Sequence, residues 1–320
     1  MIRIGIDIGA TKTVIASFDT GGNMNLLQKV PSAKMLIEKG NAVDSLKLFI
    51  DDYINQAGYD RKIIQGIGIG VPAVFDSITQ EIVSCPNLPG LDRLPLGKLL
   101  SPKIQIPVLV ENDVNLIAVG EHSYGRGKDI DDLACIYVGS GLGCGLILRG
   151  QLYTGADGAA GEFGHTIFEP EGKMCGCGAQ GCIEMYCSGR ALTELAPEIL
   201  DQTEMGDVKQ GADFGQWSLA EKVIKAAQAG NIKATNALTK SFTILGFAIT
   251  NLVNILNPRL VILGGGIITG WPEGLTIVRK IVNTRARAVV RDRLEIDFPL
   301  LGDRAGLFGA SRLVELKFSK

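Results

Sequence analysis

No block of basic residues lies anywhere in this 320-residue chain, and its formal net charge is -2. Nucleic-acid binding by general electrostatic attraction needs such a block, so no DNA or RNA partner is expected. The N-terminus lacks the charged lead and apolar core of a signal peptide; MIRIGIDIGA alternates Ile2, Ile4, Ile6 and Ile8, which is a strand pattern. Residues 242–256 are apolar but read as too short to span a membrane, and Pro258 follows them. No membrane partner and a cytoplasmic location are therefore expected. Aromatics are scarce at 6% and only two histidines occur. The seven cysteines lack the paired layout of a small disulfide scaffold. Cys85, Cys135, Cys144 and Cys187 scatter through apolar or glycine-rich surroundings, as buried thiols do, and three others cluster.

What is present points to a folded, two-domain protein. Hydrophobic residues make up 46% and charged residues 21%, and the length permits two domains of ordinary size. The 41 glycines imply many tight turns or close backbone contacts. Strands are expected over 2–8, 13–18 and 26–30, then a helix over 42–57 with apolar positions 43, 46, 50 and 54. A strand over 63–71, a hairpin near 75–83, a Pro/Gly-rich loop over 84–97, a strand over 107–110 and a helix to about 123 follow. The second half repeats the opening grammar: a strand at 133–139, a glycine turn at 139–145, and a return strand at 145–149. Such a repeat suggests a duplicated fold. Helices are expected over 189–200, 218–229, 232–256 and 304–316, a loop over 204–216, and strands at 260–263 and 293–298. The domain boundary is placed near Glu111-Asn112, with the last helix returning to the first domain.

Five patterns carry possible chemistry. Asp7-Ile-Gly9-Ala-Thr11-Lys12 puts an acid at a strand end before a glycine turn with donors, which suits a metal–phosphate group; an ordinary hairpin turn is the alternative. Gly139-Ser140-Gly141-Leu142-Gly143-Cys144-Gly145 would free backbone N–H groups toward a phosphate, although it matches neither a Walker A motif nor a dinucleotide fingerprint. Gly264-Gly265-Gly266 follows a strand directly, where a base or ribose could lie. Asn112 and Asp113 follow the strand 107–110; Asp113 suits a base that deprotonates a hydroxyl, and a helix N-cap is the alternative. Finally, His165, Cys175, Cys177 and Cys182 fall within eighteen residues. This ligand set suits a tetrahedral zinc whose four positions are all filled, hence a structural metal. Cys187 is a rival ligand with poorer spacing, and His122 is read as structural. Glu162 and Glu184 flank the cluster as two acids a structural zinc would not need.

In this order the pieces resemble the ROK family of sugar kinases and repressors, within the sugar kinase/heat-shock ATPase/actin superfamily. Asp7-x-Gly9-x-Thr11-Lys12 resembles the first phosphate motif, with Ala10 where a second Gly is usual. Residues 139–145 resemble the second, with Ser140 in place of the more usual Thr. Glu162-x-Gly164-His165 and Cys175-x-Cys177-Gly-x-x-Gly181-Cys182-x-Glu184 resemble the family's zinc and sugar signature. The resemblance implies an α/β fold of two ribonuclease-H-like (actin-like ATPase) domains flanking an active-site cleft. The first would span 1–111, completed by helix 304–320, and the second 112–303. It implies ATP-dependent phosphorylation of a hexose, with Asp113 as base and Asn87, Asn112, Asp113, Glu162, His165 and Glu184 on the sugar. ATP and Mg2+ would lie on Asp7, Gly9, Thr11, Lys12, Gly139, Ser140, Gly141, Gly143 and Gly264–Gly266, a structural Zn2+ would brace the pocket, and the enzyme would be a homodimer. Glucose is the leading substrate; N-acetylglucosamine, N-acetylmannosamine, fructose and allose are alternatives, and a non-catalytic sugar sensor ranks lower. Only six residues precede Asp7, so the winged-helix module of ROK repressors is not expected.

Overall fold

The computed structural model describes all residues except 33–41, 77–78, 86–87, 202–204, 206–212 and 319–320. In chain order the elements are β1 (Ile2–Ile8), β2 (Lys12–Phe18), β3 (Met24–Pro31), α1 (Ala42–Ala57), β4 (Ile64–Val71), β5 (Val74–Phe75), β6 (Ile82–Ser84), α2 (Leu96–Ile104), β7 (Val108–Asn112) and α3 (Asp113–Tyr124). There follow β8 (Leu133–Val138), β9 (Leu142–Leu148), β10 (Gln151–Leu152), α4 (Glu184–Cys187), α5 (Gly189–Ile199), α6 (Asp213–Gln228) and α7 (Ile232–Leu256). The chain ends with β11 (Leu260–Gly264), α8 (Gly266–Gly270), α9 (Glu273–Arg285), α10 (Ala288–Arg291), β12 (Glu295–Asp297) and α11 (Ala305–Phe318).

Two five-stranded sheets dominate. The first runs β3-β2-β1-β4-β7 and the second β10-β9-β8-β11-β12. Numbered by first appearance, both have the order 3-2-1-4-5, so the repeat seen in the sequence is a repeat of topology. Antiparallel strands at one side give way to parallel ones: β3, β2 and β1 are antiparallel and β1, β4 and β7 parallel in the first, while β10 and β9 are antiparallel and β8, β11 and β12 parallel in the second. This is the α/β architecture that the family resemblance implies.

The chain divides into two compact units. One comprises 1–131, 145–160 and 300–320; the other comprises 132–144 and 161–299. Helix α3 lies in the first unit, past residue 111, because it packs along α11. Glycine permits that packing. A Cβ on Gly309 would collide with the Leu116 carbonyl, one on Gly120 with the Ala305 carbonyl, and one on Gly68 of the sheet with the Ala310 carbonyl. Backbone-to-backbone approach of this kind excludes every other residue. On the other face of that sheet, Ile4, Ile6, Ile67 and Ile69 pack with Leu46, Ile50 and Tyr53 of α1.

The segment entering α11 is held by a fully buried carboxylate. Glu121 of α3 accepts hydrogen bonds from the backbone N–H groups of Leu301 (2.7 Å), Leu300 (3.1 Å) and Arg126 (2.8 Å). Replacing Glu121 with Ala strands three donors, so global stability is expected to fall by about 2–3 kcal/mol. Urea unfolding followed by circular dichroism measures this; an unchanged midpoint would remove Glu121 as the staple.

In the second unit α7 packs against α9, with Gly246 against Ile281 and Gly274 against the Phe242 ring, which stacks on Trp271 at 5.7 Å. Among the described residues α7 is the one helix long and apolar enough to cross a membrane. The apolar run is therefore longer than 242–256, because it continues back to Ile232 on the same helix. Its length here serves the core: Leu238, Phe242, Leu245, Ile249 and Val253 form one buried stripe at helical spacing.

Several element expectations need correction. Return strand β9 starts at Leu142, so Gly143, Cys144 and Gly145 belong to a strand and only Gly139–Gly141 form the turn. Gly145 is required by packing: a Cβ would lie 2.6 Å from the Val114 carbonyl oxygen of α3. Residues 213–216, read as loop, begin α6, while most of the rest of 204–216 falls outside the described residues. The loop over 84–97 contains a short 3-10 turn at Pro89–Leu91 and ends as α2 begins.

Candidate active site

In the first unit, strand register brings two distant acids to one edge. Parallel pairing sets Asp7 of β1 beside Gly70 of β4, and Gly70 beside Glu111 of β7. The carboxyl ends of these strands therefore present Asp7 and, two residues beyond Glu111, Asp113. Gly70 sits between them: a Cβ there would lie 3.7 Å from Asp7 Oδ1 and 3.6 Å from the Asp113 Cα. Burial, then the nearby Asp113 and Asp303, push the Asp7 carboxyl up to about 7 against the pull of Lys12. Burial likewise raises Asp113 to about 6. Two desolvated carboxyls near each other resist simultaneous ionisation.

The turn after Asp7 is pinned from outside. Gly9 N–H donates to the Lys12 carbonyl at 2.9 Å, and the buried Ser32 hydroxyl donates to the Gly9 carbonyl at 2.6 Å. Ser32 N–H also donates to the Thr11 carbonyl at 3.2 Å, while Lys12 Nζ meets Asp303 Oδ2 at 2.9 Å and Thr11 is exposed. Neither Ser32, Gly70 nor Asp303 was singled out by the sequence, since their relevance arises from strand neighbours far away in the chain.

Asn112 fills the N-cap of α3. Its Oδ1 accepts from Val114 N–H (2.9 Å) and Asn115 N–H (3.1 Å), and its Nδ2 donates to the Ala73 carbonyl at 3.1 Å. The capping alternative thus holds for Asn112, and a cap does not preclude a further contact from its second amide hydrogen. Beneath it, Glu111 Oε1 accepts from Asn112 N–H (2.8 Å) and Asn115 Nδ2 (2.9 Å), with its pKa raised mainly by burial. Asp113 is the first helical residue; its Oδ1 accepts from Val114 N–H at 2.9 Å. Asn87 lies outside the described residues.

In the second unit the glycine turns end neighbouring parallel strands, since Gly264 pairs with Tyr137. Gly265 has φ +97, a conformation that favours glycine, and a Cβ there would lie 2.5 Å from the Val138 carbonyl oxygen. Gly264 packs under the Tyr137 ring, and Gly266 opens α8 with nothing near its Cβ position. Gly139 and Ser140 are held by α5: Gly189 N–H donates to the Gly139 carbonyl at 2.8 Å and Arg190 N–H to the Ser140 carbonyl at 3.1 Å.

His165, Cys175, Cys177 and Cys182 converge. Their four ligand atoms lie within 4.8 Å of one another. His165 Nδ1 is 3.6 Å from Cys175 Sγ, and Cys177 Sγ is 3.6 Å from Cys182 Sγ. A tetrahedral zinc with bonds of about 2.0–2.3 Å requires ligand separations of roughly 3.3–3.8 Å, and these two distances fall in that range. The loop is closed by a turn in which Gly178 N–H donates to the Cys175 carbonyl, and by the pairing of Ile167 with Cys182. Cys187 is outside the cluster; its buried thiol donates to the Ile183 carbonyl at 3.3 Å. Glu162 and His165 flank one 3-10 turn, where residues three apart eclipse, and His165 Nε2 lies 3.7 Å from Glu162 Oε2. Glu184 Oε2 accepts from the Leu142 N–H at 2.9 Å. The second ring nitrogen of His165 therefore faces a carboxylate, and Glu184 reaches back to the glycine turn.

The family model described as "ROK family" matches residues 3–317. A glucokinase of Streptomyces coelicolor is 31% identical over 98% of this chain and 97% of its own length. A xylose repressor of Caldicellulosiruptor bescii is 30% identical over 97% of this chain and 77% of its own length. The crystal structure of a ROK family glucokinase from Streptomyces griseus in complex with glucose and AMPPNP superposes with a TM-score of 0.80, at 31% identity over 98% of this chain and 99% of the other. With its two matching sheets and its cluster of one histidine and three cysteines, the chain belongs to the ROK family.

Proposed function

We propose that this protein transfers the γ-phosphoryl group of ATP to a hydroxyl of a hexose, with glucose the leading substrate. The observation that carries this reading is Asp113, a carboxylate raised to about 6 at the strand edge it shares with Asp7. A general base works best with a pKa near the operating pH, and Asp113 meets that condition without being fully protonated at neutrality. In this reading Asp113 takes the proton from the attacking hydroxyl as the phosphorus–oxygen bond forms. Asn112, Glu162, His165 and Glu184 hold the other hydroxyls, with Asn87 a further contact. The sugar-bound relative from Streptomyces griseus and the glucokinases of similar length support the substrate class.

The phosphates of ATP would be received by Gly9, Thr11 and Lys12 and by Gly139, Ser140 and Gly141, with the nucleoside at Gly264–Gly266. Gly143, the second residue of β9, would be a further backbone contact on the phosphate side in this reading. Asp7 would hold Mg2+, directly or through water, and the raised pKa fits that role: a dication favours the ionised form that burial and Asp113 oppose. The metal, when bound, neutralises charge on the phosphates as the phosphoryl group is transferred. The donor set and its spacing fit zinc in the His165-Cys175-Cys177-Cys182 site as a structural ion, which would fix the loop carrying Glu162, His165 and Glu184. We further propose a cytoplasmic homodimer whose two catalytic lobes are the compact units, so that the expected boundary at 111/112 moves past α3 and Asp113 belongs to the first lobe.

The test is ADP release across a panel of glucose, fructose, allose, N-acetylglucosamine and N-acetylmannosamine. Turnover is expected with glucose at the highest kcat/KM. Absence of sugar-dependent ADP release with every member of the panel, while glucose still binds by calorimetry, would favour the sensor reading instead.

A further inference from the structure

Leu142 is a joint. Its N–H donates to Glu184 Oε2 at 2.9 Å, and a Cβ on Gly164 would collide with its carbonyl oxygen. The residue before it, Gly141, has no room for a side chain either, because a Cβ there would collide with that same Glu184 oxygen. The two residues before that, Gly139 and Ser140, give their carbonyls to the N–H groups of Gly189 and Arg190. The glycine turn is therefore enclosed by the segment 184–190, and its first strand amide has a carboxylate as acceptor where a hairpin would ordinarily offer a carbonyl. The turn is also tight, since Gly139 N–H donates to the Gly141 carbonyl at 3.0 Å. A carboxylate accepting a backbone N–H makes a charge-assisted bond, stronger than a neutral one.

We propose that Glu184 is the positioning residue of the second glycine turn: one carboxylate oxygen fixes the Leu142 amide, and the other remains for the ligand. The segment that ends the Cys cluster thereby sets the shape of the turn expected to receive nucleotide phosphates. Two groups assigned to different substrates share one side chain, so loss of Glu184 weakens nucleotide binding even when no sugar is present. The nucleotide half of this inference rests on the kinase reading; the geometric half does not.

Two variants separate the roles. Glu184→Ala removes the acceptor, whereas Glu184→Gln keeps an oxygen for Leu142 N–H and loses the charge. Hydrogen exchange of the peptide spanning 139–143 is the ligand-free readout. Exchange is expected to accelerate most in Glu184→Ala and less in Glu184→Gln, whose neutral oxygen still accepts from Leu142 N–H but more weakly. Calorimetric titration with Mg-AMPPNP, without sugar, is expected to show affinity about tenfold weaker in the Ala variant and a smaller loss in the Gln variant. Gly141→Ala, which drives the carboxylate away from the opposite side, is expected to accelerate the same exchange and serves if Glu184→Ala does not fold. Wild-type exchange rates in the Ala variants overturn the inference whatever the nucleotide does. A wild-type protein that binds no AMPPNP strikes the kinase reading, and the exchange comparison still decides the role of Glu184.

Discussion

Asp113→Asn is expected to lower kcat by about 10²–10⁴-fold while leaving glucose affinity within a few-fold of wild type. Asn is nearly isosteric, keeps an oxygen for the Val114 N–H, and cannot take a proton. Stopped-time ADP assays and sugar calorimetry on the same preparation measure both halves. Two further signatures belong to a base raised to about 6. First, kcat/KM of the wild type should fall as pH drops below about 6, because the protonated acid is inactive. Second, stability moves the opposite way to activity. A carboxyl whose folded pKa exceeds its unfolded value of 3.8 favours the folded state when protonated. Its contribution is fully present below about pH 4 and is lost as pH rises through about 6, so at neutral pH the ionised, buried Asp113 is a cost. Asp113→Asn should therefore unfold at a higher temperature than wild type at pH 7.5, with the difference vanishing near pH 4. An inactive variant that is also less stable at pH 7.5 would mean damage to the fold rather than loss of a base.

That pairing of lost activity with gained stability could not be read from the sequence. The motif Glu111-Asn112-Asp113 advertised a polar strand end, and it advertised a helix cap equally well. What brings the two acids together is the order β1-β4-β7, which sets Asp7 and Asp113 at one edge although 105 intervening residues separate them. Gly70, between the two acids, looks like any strand glycine until the register is known. Ser32 likewise gains meaning only when β3 folds beside β2. Local signals were better read where one residue's neighbours in the chain are its neighbours in space. The alternating isoleucines gave β1, and the 3.6-residue spacing of Val43, Leu46, Ile50 and Ile54 gave α1. Helix α9 carries a comparable signal in the spacing of Leu275, Val278 and Val282. The glycine run ends earlier than its composition suggests, for a physical reason. Gly143 and Gly145 resemble turn residues by type, but both lie within β9, and at Gly145 the close approach of α3 demands glycine in a strand.

The cysteine cluster was legible because its ligands lie close in the chain, and it supports the second large effect. Removing the metal, by chelation or by Cys177→Ser, is expected to raise the KM for glucose at least tenfold. Cys177 is the informative choice because it is the exposed cysteine of the four ligands, whereas Cys175 and Cys182 are buried and their loss would also disturb packing. Its thiol lies 3.6 Å from Cys182, so its replacement by a poorer ligand breaks the site without opening a cavity. Besides the cluster, the loop 166–181 is held mostly by contacts at its surface: Phe168 packs edge-on against Tyr186, Lys173 pairs with Glu194 and its N–H donates to the Tyr186 hydroxyl, and two isolated bridges and a few turns order the backbone. His165 and Cys182 are the two ligands adjoining the acids, one three residues from Glu162 and the other two from Glu184. Without the ion, His165 loses the partner of its Nδ1, and the 3-10 turn that pairs it with Glu162 loses its anchor. Wild-type protein is expected to carry one zinc per chain by elemental analysis, and Cys177→Ser almost none. Asp113 is in the other unit and its pKa owes nothing to the cluster, so kcat at saturating glucose should fall far less than kcat/KM. If metal-free protein keeps its wild-type KM, the acids are held by the polypeptide alone, and the cluster supports only the loop.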